Sequence, residues 1–318
     1  MGNSGSVCVY VGEALGRYGF GNDHPFGPER MGVFWDRMLS QGLDIAVHVH
    51  EPVMARREEI ERFHTPEYVE KVIRQSESGQ GFLDYGDTPA FPGVYEAAAY
   101  VVGSAVDGAR RLMEKEARHV FIPIAGLHHA RRDMAGGFCV FNDCGVVIET
   151  LRAEYGLKRV AYVDIDAHHG DGVFYSFEDD PDLLFADLHE DGRYLYPGTG
   201  AAEETGRGAA EGTKLNIPLP PGSRDEQFEE AWQKVEQYLN AGRPEFIILQ
   251  CGADSVRGDP ITHMQFSPNA HAQAAARLAA IADQYCEGRL LAVGGGGYNH
   301  QNIALAWTGV VRALIEAG

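Results

Sequence analysis

Arg159-Val160-Ala161-Tyr162-Val163-Asp164-Ile165-Asp166-Ala167-His168-His169-Gly170-Asp171-Gly172 passes abruptly from an apolar, β-prone run into a cluster of ionisable groups. The run reads as a strand, and the three carboxylates and two imidazoles that follow crowd its carboxyl end. Side chains alternate across a strand with period two, so Asp164, Asp166 and His168 are expected on one side. An aspartate and a histidine two residues apart can grip one divalent cation, since zinc accepts both at roughly 2.0–2.2 Å. Gly170 and Gly172 let the chain turn away while Asp171 stays beside the histidines. Burying so much charge without a cation is costly, so this stretch reads as a metal site.

Outward from it, short apolar runs alternate with longer helix-prone segments. Strands are expected over Val7–Val11, Val120–Ile124, Val160–Ile165, Leu183–Leu188, Phe246–Gln250 and Leu290–Val293. Their near-continuous hydrophobicity implies burial on both faces, as in a parallel sheet. Helices are expected over Pro28–Ser40, Pro66–Ser76, Val94–Glu116, Asn142–Tyr155, Glu226–Asn240, Pro268–Cys286 and Asn302–Ala317. The alternation predicts an α/β fold, a three-layer αβα arrangement around a central, mostly parallel sheet. No linker or repeat divides the chain, so one domain is expected over residues 1–318. Ligands in such folds gather beyond the carboxyl ends of the strands. The loops Ala125–Phe141, Asp164–Gly172, Leu188–Arg207, Cys251–Gln265 and Gly294–Gln301 carry the His, Asp, Tyr and Gly clusters there.

Composition narrows the function. With 44% hydrophobic and 23% charged residues the chain is ordinary for a globular protein. Its formal charge of −19 disfavours sequence-independent nucleic-acid binding and would attract a cationic substrate, although solubility or a salty medium accounts for much of it. Five cysteines without a C-x-x-C pair point away from a disulfide scaffold and toward a cytoplasmic location. Met1–Ser6 lacks the layout of a signal peptide, and no apolar run approaches the roughly 20 residues of a membrane span.

Other constellations sit at neighbouring strand ends. Asp254, after Phe246-Ile247-Ile248-Leu249, could merely cap the next turn; beside the first motif it reads as a third metal ligand. His128-His129 can act as general acid and base if carboxylates fix their tautomers, with Asp164 and Asp171 as candidates; two surface histidines are the plain alternative. Gly294-Gly295-Gly296-Gly297-Tyr298 precedes a helix, yet Asn299 occupies the third glycine position of a dinucleotide fingerprint. The glycines instead form a pliable loop that can turn the Tyr298 hydroxyl toward a substrate as an oxyanion donor, or Tyr298 simply packs there. Phe138, Tyr196 and Ile261 could line a channel for an alkyl chain. Glu13, Asp36 and Glu58-Glu59-Ile60-Glu61 read as solvated surface.

Taken together these motifs resemble the zinc-dependent histone deacetylase family, including its bacterial acetoin-utilisation and acetylpolyamine relatives. The resemblance runs from His24-Pro25-Phe26-Gly27-Pro28-Glu29-Arg30-Met31 through His128-His129-Ala130, Gly137-Phe138-Cys139-Val140-Phe141-Asn142-Asp143 and Asp164–Gly172. It continues through Tyr196-Pro197-Gly198-Thr199-Gly200 and Gly252-Ala253-Asp254 to Gly295-Gly296-Gly297-Tyr298. It implies an arginase-like fold, with Asp166, His168 and Asp254 holding zinc. His128 and His129 would be the tandem histidines, paired with Asp164 and Asp171, and Tyr298 the carbonyl-polarising tyrosine. Phe138 and Tyr196 would wall an acyl-lysine tunnel, the Gly137 carbonyl would receive the substrate amide hydrogen, and Asp87 would grip substrate backbone at the rim. A structural potassium ion is implied near Asp164, Asp166, His168, Asp187 and Leu188, with Asp187 standing where many members have serine.

The activity so implied is hydrolysis of an acyl amide on a lysine ε-amine of a peptide or protein. Aliphatic Ile261 resembles lysine deacylases more than the polyamine-selective members, whose gatekeeper is acidic; a small acetylated amine is the alternative substrate. Fe(II) or Co(II) would suit the same ligands. An arginase-like ureohydrolase with two manganese ions is disfavoured, because Asp166-Ala167-His168 is followed by His169-Gly170 rather than a further bridging aspartate. A catalytically silent acyl-lysine binder is the remaining reading. Oligomeric state is not legible.

Overall fold

The computed structural model describes residues 7–21 and 24–318; Met1–Ser6, on which the signal-peptide reading rests, lies outside them. Eight strands form one sheet: β1 Val7–Tyr10, β2 His48–His50, β3 His119–Ile122, β4 Val160–Asp164, β5 Leu183–Glu190, β6 Lys214–Leu219, β7 Phe246–Gln250 and β8 Leu290–Val293. Their order is β2-β1-β3-β8-β7-β4-β5-β6, and every pairing is parallel. Helices link them: α1 Glu13–Gly16, α2 Arg30–Ser40, α3 Arg57–Ile60, α4 Pro66–Ser78, α5 Val94–Met113, α6 Asp143–Tyr155, α7 Asp171–Ser176, α8 Asp225–Gly242, α9 Pro268–Tyr285 and α10 His300–Ala317. Helices α3 to α7 pack among themselves on one side of the sheet, and α2, α8, α9 and α10 on the other. The fold is a three-layer αβα sandwich around a parallel sheet, with the central strands buried on both faces.

Local chemistry sets the helix boundaries near the site. Asn142 caps α6 by accepting the Gly145 N–H at 2.9 Å, and Gly156 at φ 68° ends that helix. Asn299, the residue that breaks the dinucleotide fingerprint, caps α10 by accepting the N–H groups of Gln301 and Asn302. Tyr298 is therefore held immediately before a helix start.

Beyond other shifts of a few residues at element ends and the short helices α1, α3 and α7, the following details differ from the sequence expectation. Strands β2 and β6 are extra; both are sheet edges, where polar or proline-containing segments such as Lys214-Leu215-Asn216-Ile217-Pro218-Leu219 carry little strand signal. Strand β4 stops at Asp164 rather than Ile165, although the Ile165 N–H still donates to Gln250 O at 3.0 Å. Helix α2 begins at Arg30 rather than Pro28. Glu59 is buried rather than solvated, because it accepts the Arg56 N–H at 2.9 Å and pairs with Arg110 at 2.7 Å.

Two buried histidines that lie outside the Asp166–His168–Asp254 group make stability depend on pH. Burial pushes His64 down to about 3 and His119 down to about 4, from the usual 6.5. The His64 ring is fixed as neutral, since its Nε2 accepts the Asn142 N–H at 2.9 Å. The folded pKa lies below the unfolded one, so the contribution is complete above about pH 6.5 and is lost as pH falls toward 4. At roughly 1.4 kcal/mol per pH unit for each proton taken up on unfolding, the loss amounts to several kcal/mol. Scanning calorimetry is expected to show the Tm deficit of His119→Gln relative to the parent shrinking between pH 7 and pH 5; a deficit independent of pH would contradict a neutral buried ring.

Candidate metal centre

Parallel register places Asp164 of β4 opposite Asp187 of β5 and Gln250 of β7, so three strand tips present polar groups side by side. Beyond them the chain turns, and Asp166 and His168 come together outside the strand rather than by simple alternation. The His168 Nδ1 lies 3.1 Å from Asp166 Oδ1 and 3.1 Å from Asp254 Oδ2. Ligand atoms of Asp166, His168 and Asp254 all lie within 4.8 Å of one another, and all three residues are buried. Asp164 does not join them through its carboxylate, which accepts from His128 Nδ1 at 2.8 Å and from the Tyr162 hydroxyl at 2.5 Å.

The group is built for a cation. Burial alone would lower His168, yet hydrogen bonds to Asp166 and Asp254 raise it to about 10. Burial, followed by repulsion from Asp166, lifts Asp254 to about 7. Besides burial, both shifts reflect two carboxylates sharing one space with too little positive charge, and a divalent ion on these ligands would relieve it. Their remaining lone pairs are occupied. Asp166 Oδ2 accepts from Gly296 N–H at 2.8 Å and Gln250 Nε2 at 2.9 Å, while Asp254 Oδ1 accepts from Ala167 N–H at 2.9 Å. Such outer partners orient metal ligands. The donor set fits one hard or borderline divalent ion.

Two glycines are required by this crowding. A Cβ on Gly252 would stand 2.0 Å from Asp166 Oδ2, and one on Gly296 would stand 2.2 Å from Asp254 Oδ2. Gly252 has an ordinary φ of −49°, so Gly252→Ala leaves the backbone unstrained and displaces the carboxylate instead. Titration of Co(II) into this variant should show affinity about 10–100-fold weaker than in the parent. Unchanged affinity would mean that Asp166 is not a ligand.

His128 and His129 are buried rather than on the surface, because two N–H groups of their loop donate to the buried Asp143 carboxylate, Gly126 at 2.9 Å and Leu127 at 2.8 Å. His129 Nδ1 lies 2.7 Å from Asp171 Oδ1, the counterpart of the His128–Asp164 pair, and the two Nε2 atoms approach to 3.0 Å. With each Nδ1–H given to its carboxylate, both Nε2 lone pairs face one spot, which suits a single proton. Burial and then the neighbouring His128 push His129 down to about 4, leaving it a neutral acceptor at pH 7. Arg131 donates to Asp171 Oδ2 at 3.1 Å and, with His129, holds that carboxylate below its usual range despite burial.

Tyr298 lines the same cavity as His128, His129, Gly137, Asp166 and His168. Its backbone N–H donates to Asp259 Oδ2 at 2.8 Å, and burial, then the Asp254 charge, keep its phenol protonated well above the ordinary range. Phe138 packs edge-on to Tyr298 at 5.9 Å, while Tyr196 packs edge-on to His129 at 5.1 Å. Asp87 lies outside, in a hollow of about 340 Å³ with Asp84, Met134, Gly136 and Tyr196. Ile261 is half-buried on the segment after Asp259 and lines neither this hollow nor the cavity. Gln250, Asp143, Asp259, Tyr162 and the buried Arg30, which donates to Gly297 O at 2.8 Å and Gly295 O at 2.5 Å, were not singled out from sequence. Their only signal was proximity to a strand end or to a recognised motif.

A parallel αβα sandwich with a buried Asp–His–Asp group at its strand tips defines the class, a deacetylase-like hydrolase fold. The histone deacetylase domain model matches residues 24–314. Acetoin utilization protein AcuC of Bacillus subtilis is 38% identical over 92% of this chain and 78% of its own length. A probable deacetylase of Archaeoglobus fulgidus is 35% identical over 92% and 81%, respectively. Among solved structures, the HDA15 HD domain superposes with a TM-score of 0.92 at 28% identity, covering 98% of this chain and 89% of that one. The chain belongs to the histone deacetylase family. It is a deacetylase-type hydrolase, and among the described residues no helix is long and apolar enough to cross a membrane.

Proposed function

We propose that this protein is a metal-dependent deacylase of lysine ε-amines, its whole length forming one catalytic domain. One observation carries the reading: Asp166, His168, His128, His129 and Tyr298 line a single cavity, with Asp254 on His168 and Asp164 and Asp171 on the two imidazoles. Asp166, His168 and Asp254 hold the ion, zinc by family precedent, with Fe(II) or Co(II) suited to the same ligands. A bound divalent ion supplies Lewis acidity and lowers the pKa of water from about 15.7 toward roughly 7.

The chain's own residues do the rest. His129, oriented by Asp171, takes a proton from water at Nε2 and returns one to the leaving amine. His128, held by Asp164, has a mainly electrostatic role. Tyr298 donates its hydroxyl proton to the developing oxyanion. Phe138 and Tyr196 wall the tunnel, the Gly137 carbonyl accepts the substrate N–H, and Asp87 accepts backbone N–H groups at the rim. Ile261 belongs to that rim through the family resemblance. A potassium ion near Asp164, Asp166, His168, Asp187 and Leu188 completes the proposal. Asp187 is suited to such an ion by its charge, although its two oxygens already accept from His189 Nδ1 at 2.7 Å and Gly170 N–H at 2.8 Å. A cytoplasmic location follows from the cysteine usage.

An acyl-lysine peptide panel, run on chelated and then metal-restored protein beside acetylated spermidine and putrescine, tests this reading. Turnover is expected only with metal and mainly on lysine peptides. A large preference for the polyamines would replace the substrate, and urea release from a guanidino compound with two manganese ions would replace the reaction.

A further inference from the structure

Phe138 stands in the tunnel wall at φ 68°, next to Gly137 at φ 53°, a backbone shape that needs external support. The carbonyl of Gly137 and the N–H of Phe138 belong to one planar trans peptide and point in opposite directions. That N–H donates to Thr88 Oγ1 at 3.1 Å. A hydroxyl has one proton, and Thr88 gives its own to Asp84 Oδ2 at 2.7 Å, with Asp87 Oδ1 farther away at 3.2 Å, so its lone pairs face Phe138. Asp84 is itself immobilised, its Oδ1 accepting the N–H groups of Gly86, Asp87 and Thr88 at 2.9, 3.1 and 3.0 Å. On the far side, the Tyr18 hydroxyl donates to Phe138 O at 2.7 Å and accepts the Val140 N–H at 3.0 Å.

We propose that Thr88, oriented by Asp84, is a positioning residue that aims the Gly137 carbonyl into the substrate tunnel. Thr88 is fully buried behind the wall and does not line the cavity that holds His129 and Tyr298, whereas Gly137 does. The chain Asp84–Thr88–Phe138 N–H thus fixes, from behind, the direction of an acceptor in front. The same aspartate organises the turn that carries Asp87, so one carboxylate sets both polar contacts offered to the substrate. The inference rests on the reading that Gly137 accepts the scissile N–H. That hydrogen bond is present in the bound substrate and persists in the transition state, so its weakening acts on KM more than on kcat.

The test compares an acyl-lysine amide with the matching ester, in which oxygen replaces the scissile N–H. Thr88→Val keeps volume and removes the hydroxyl; kcat/KM on the amide is expected to fall about tenfold, mostly through KM, while the ester changes by less than about twofold. Thr88→Ser should restore the amide. Asp84→Asn should act in the same direction but more weakly, because the Thr88 proton must then turn to Asp87 Oδ1 at 3.2 Å while the Thr88 oxygen can still accept the Phe138 N–H, and it carries the comparison if Thr88→Val does not fold. Equal losses on amide and ester, or no loss on either, would overturn the inference while leaving the proposed reaction intact. A parent protein inactive on every acylated amine would instead remove the reaction itself, and this inference with it.

Discussion

Replacing Asp254 by alanine is expected to give a folded protein that neither retains a stoichiometric divalent ion nor turns over acyl-lysine above background. The Asp254 carboxylate is fully buried, with Oδ2 at 3.1 Å from His168 Nδ1 and Oδ1 on the Ala167 N–H. Removing it leaves two of three protein ligands, short of what a catalytic site of this kind uses. In the metal-free protein the change also removes a carboxylate whose proximity to Asp166 raises its own pKa. The apo variant should therefore melt at or above the temperature of the apo parent, offset in part by the orphaned Ala167 N–H. With metal the order reverses. An ion at 100 times its Kd stabilises the parent by about 2.7 kcal/mol, whereas the variant should gain almost nothing. Elemental analysis, calorimetry with and without metal, and the peptide assay check the three parts. A variant keeping one tightly held ion and its turnover would mean that the ion sits elsewhere.

Tyr298→Phe carries the second large effect. The partly buried phenol packs against Phe26 and Phe138, with Arg30 beyond it, and its backbone is tied to Asp259. Loss of the hydroxyl thus leaves ring and loop in place. Metal content and Tm should stay at parental values, and KM should change little. The expected loss is about 10²–10³ in kcat, the size of one oxyanion donor. A Tyr298→Phe enzyme of parental kcat would assign the ring to packing and move oxyanion stabilisation to the metal alone. The two variants are complementary, since one empties the centre and the other leaves it loaded.

Much of this centre was legible in the chain because its ligands are local. Asp166 and His168 are two residues apart after an apolar run, and Asp254 and Tyr298 follow apolar runs of their own. A parallel sheet stacks such strand ends together, so position after a strand already implies proximity. Edge strands β2 and β6 were not legible, since one-sided contact leaves no continuous apolar signature. Glu59 was misread because its partner Arg110 lies 51 residues away, and no local pattern announces such a pair.

By itself, the sequence determined that buried parallel strands alternate with helices, and that carboxylates and imidazoles stand at the strands' carboxyl ends. Strand hydrophobicity and backbone alternation are properties of neighbouring residues, so they survive in a linear text. Spacing alone left open which carboxylate serves which histidine; the family resemblance implied Asp164 for His128 and Asp171 for His129, and the tertiary structure places them so. It alone brought Gln250 and Gly296 onto Asp166, and tied Thr88 to the Phe138 N–H. Those choices depend on register between strands and on loops crossing one another within a few ångströms, distances that no spacing along the chain encodes.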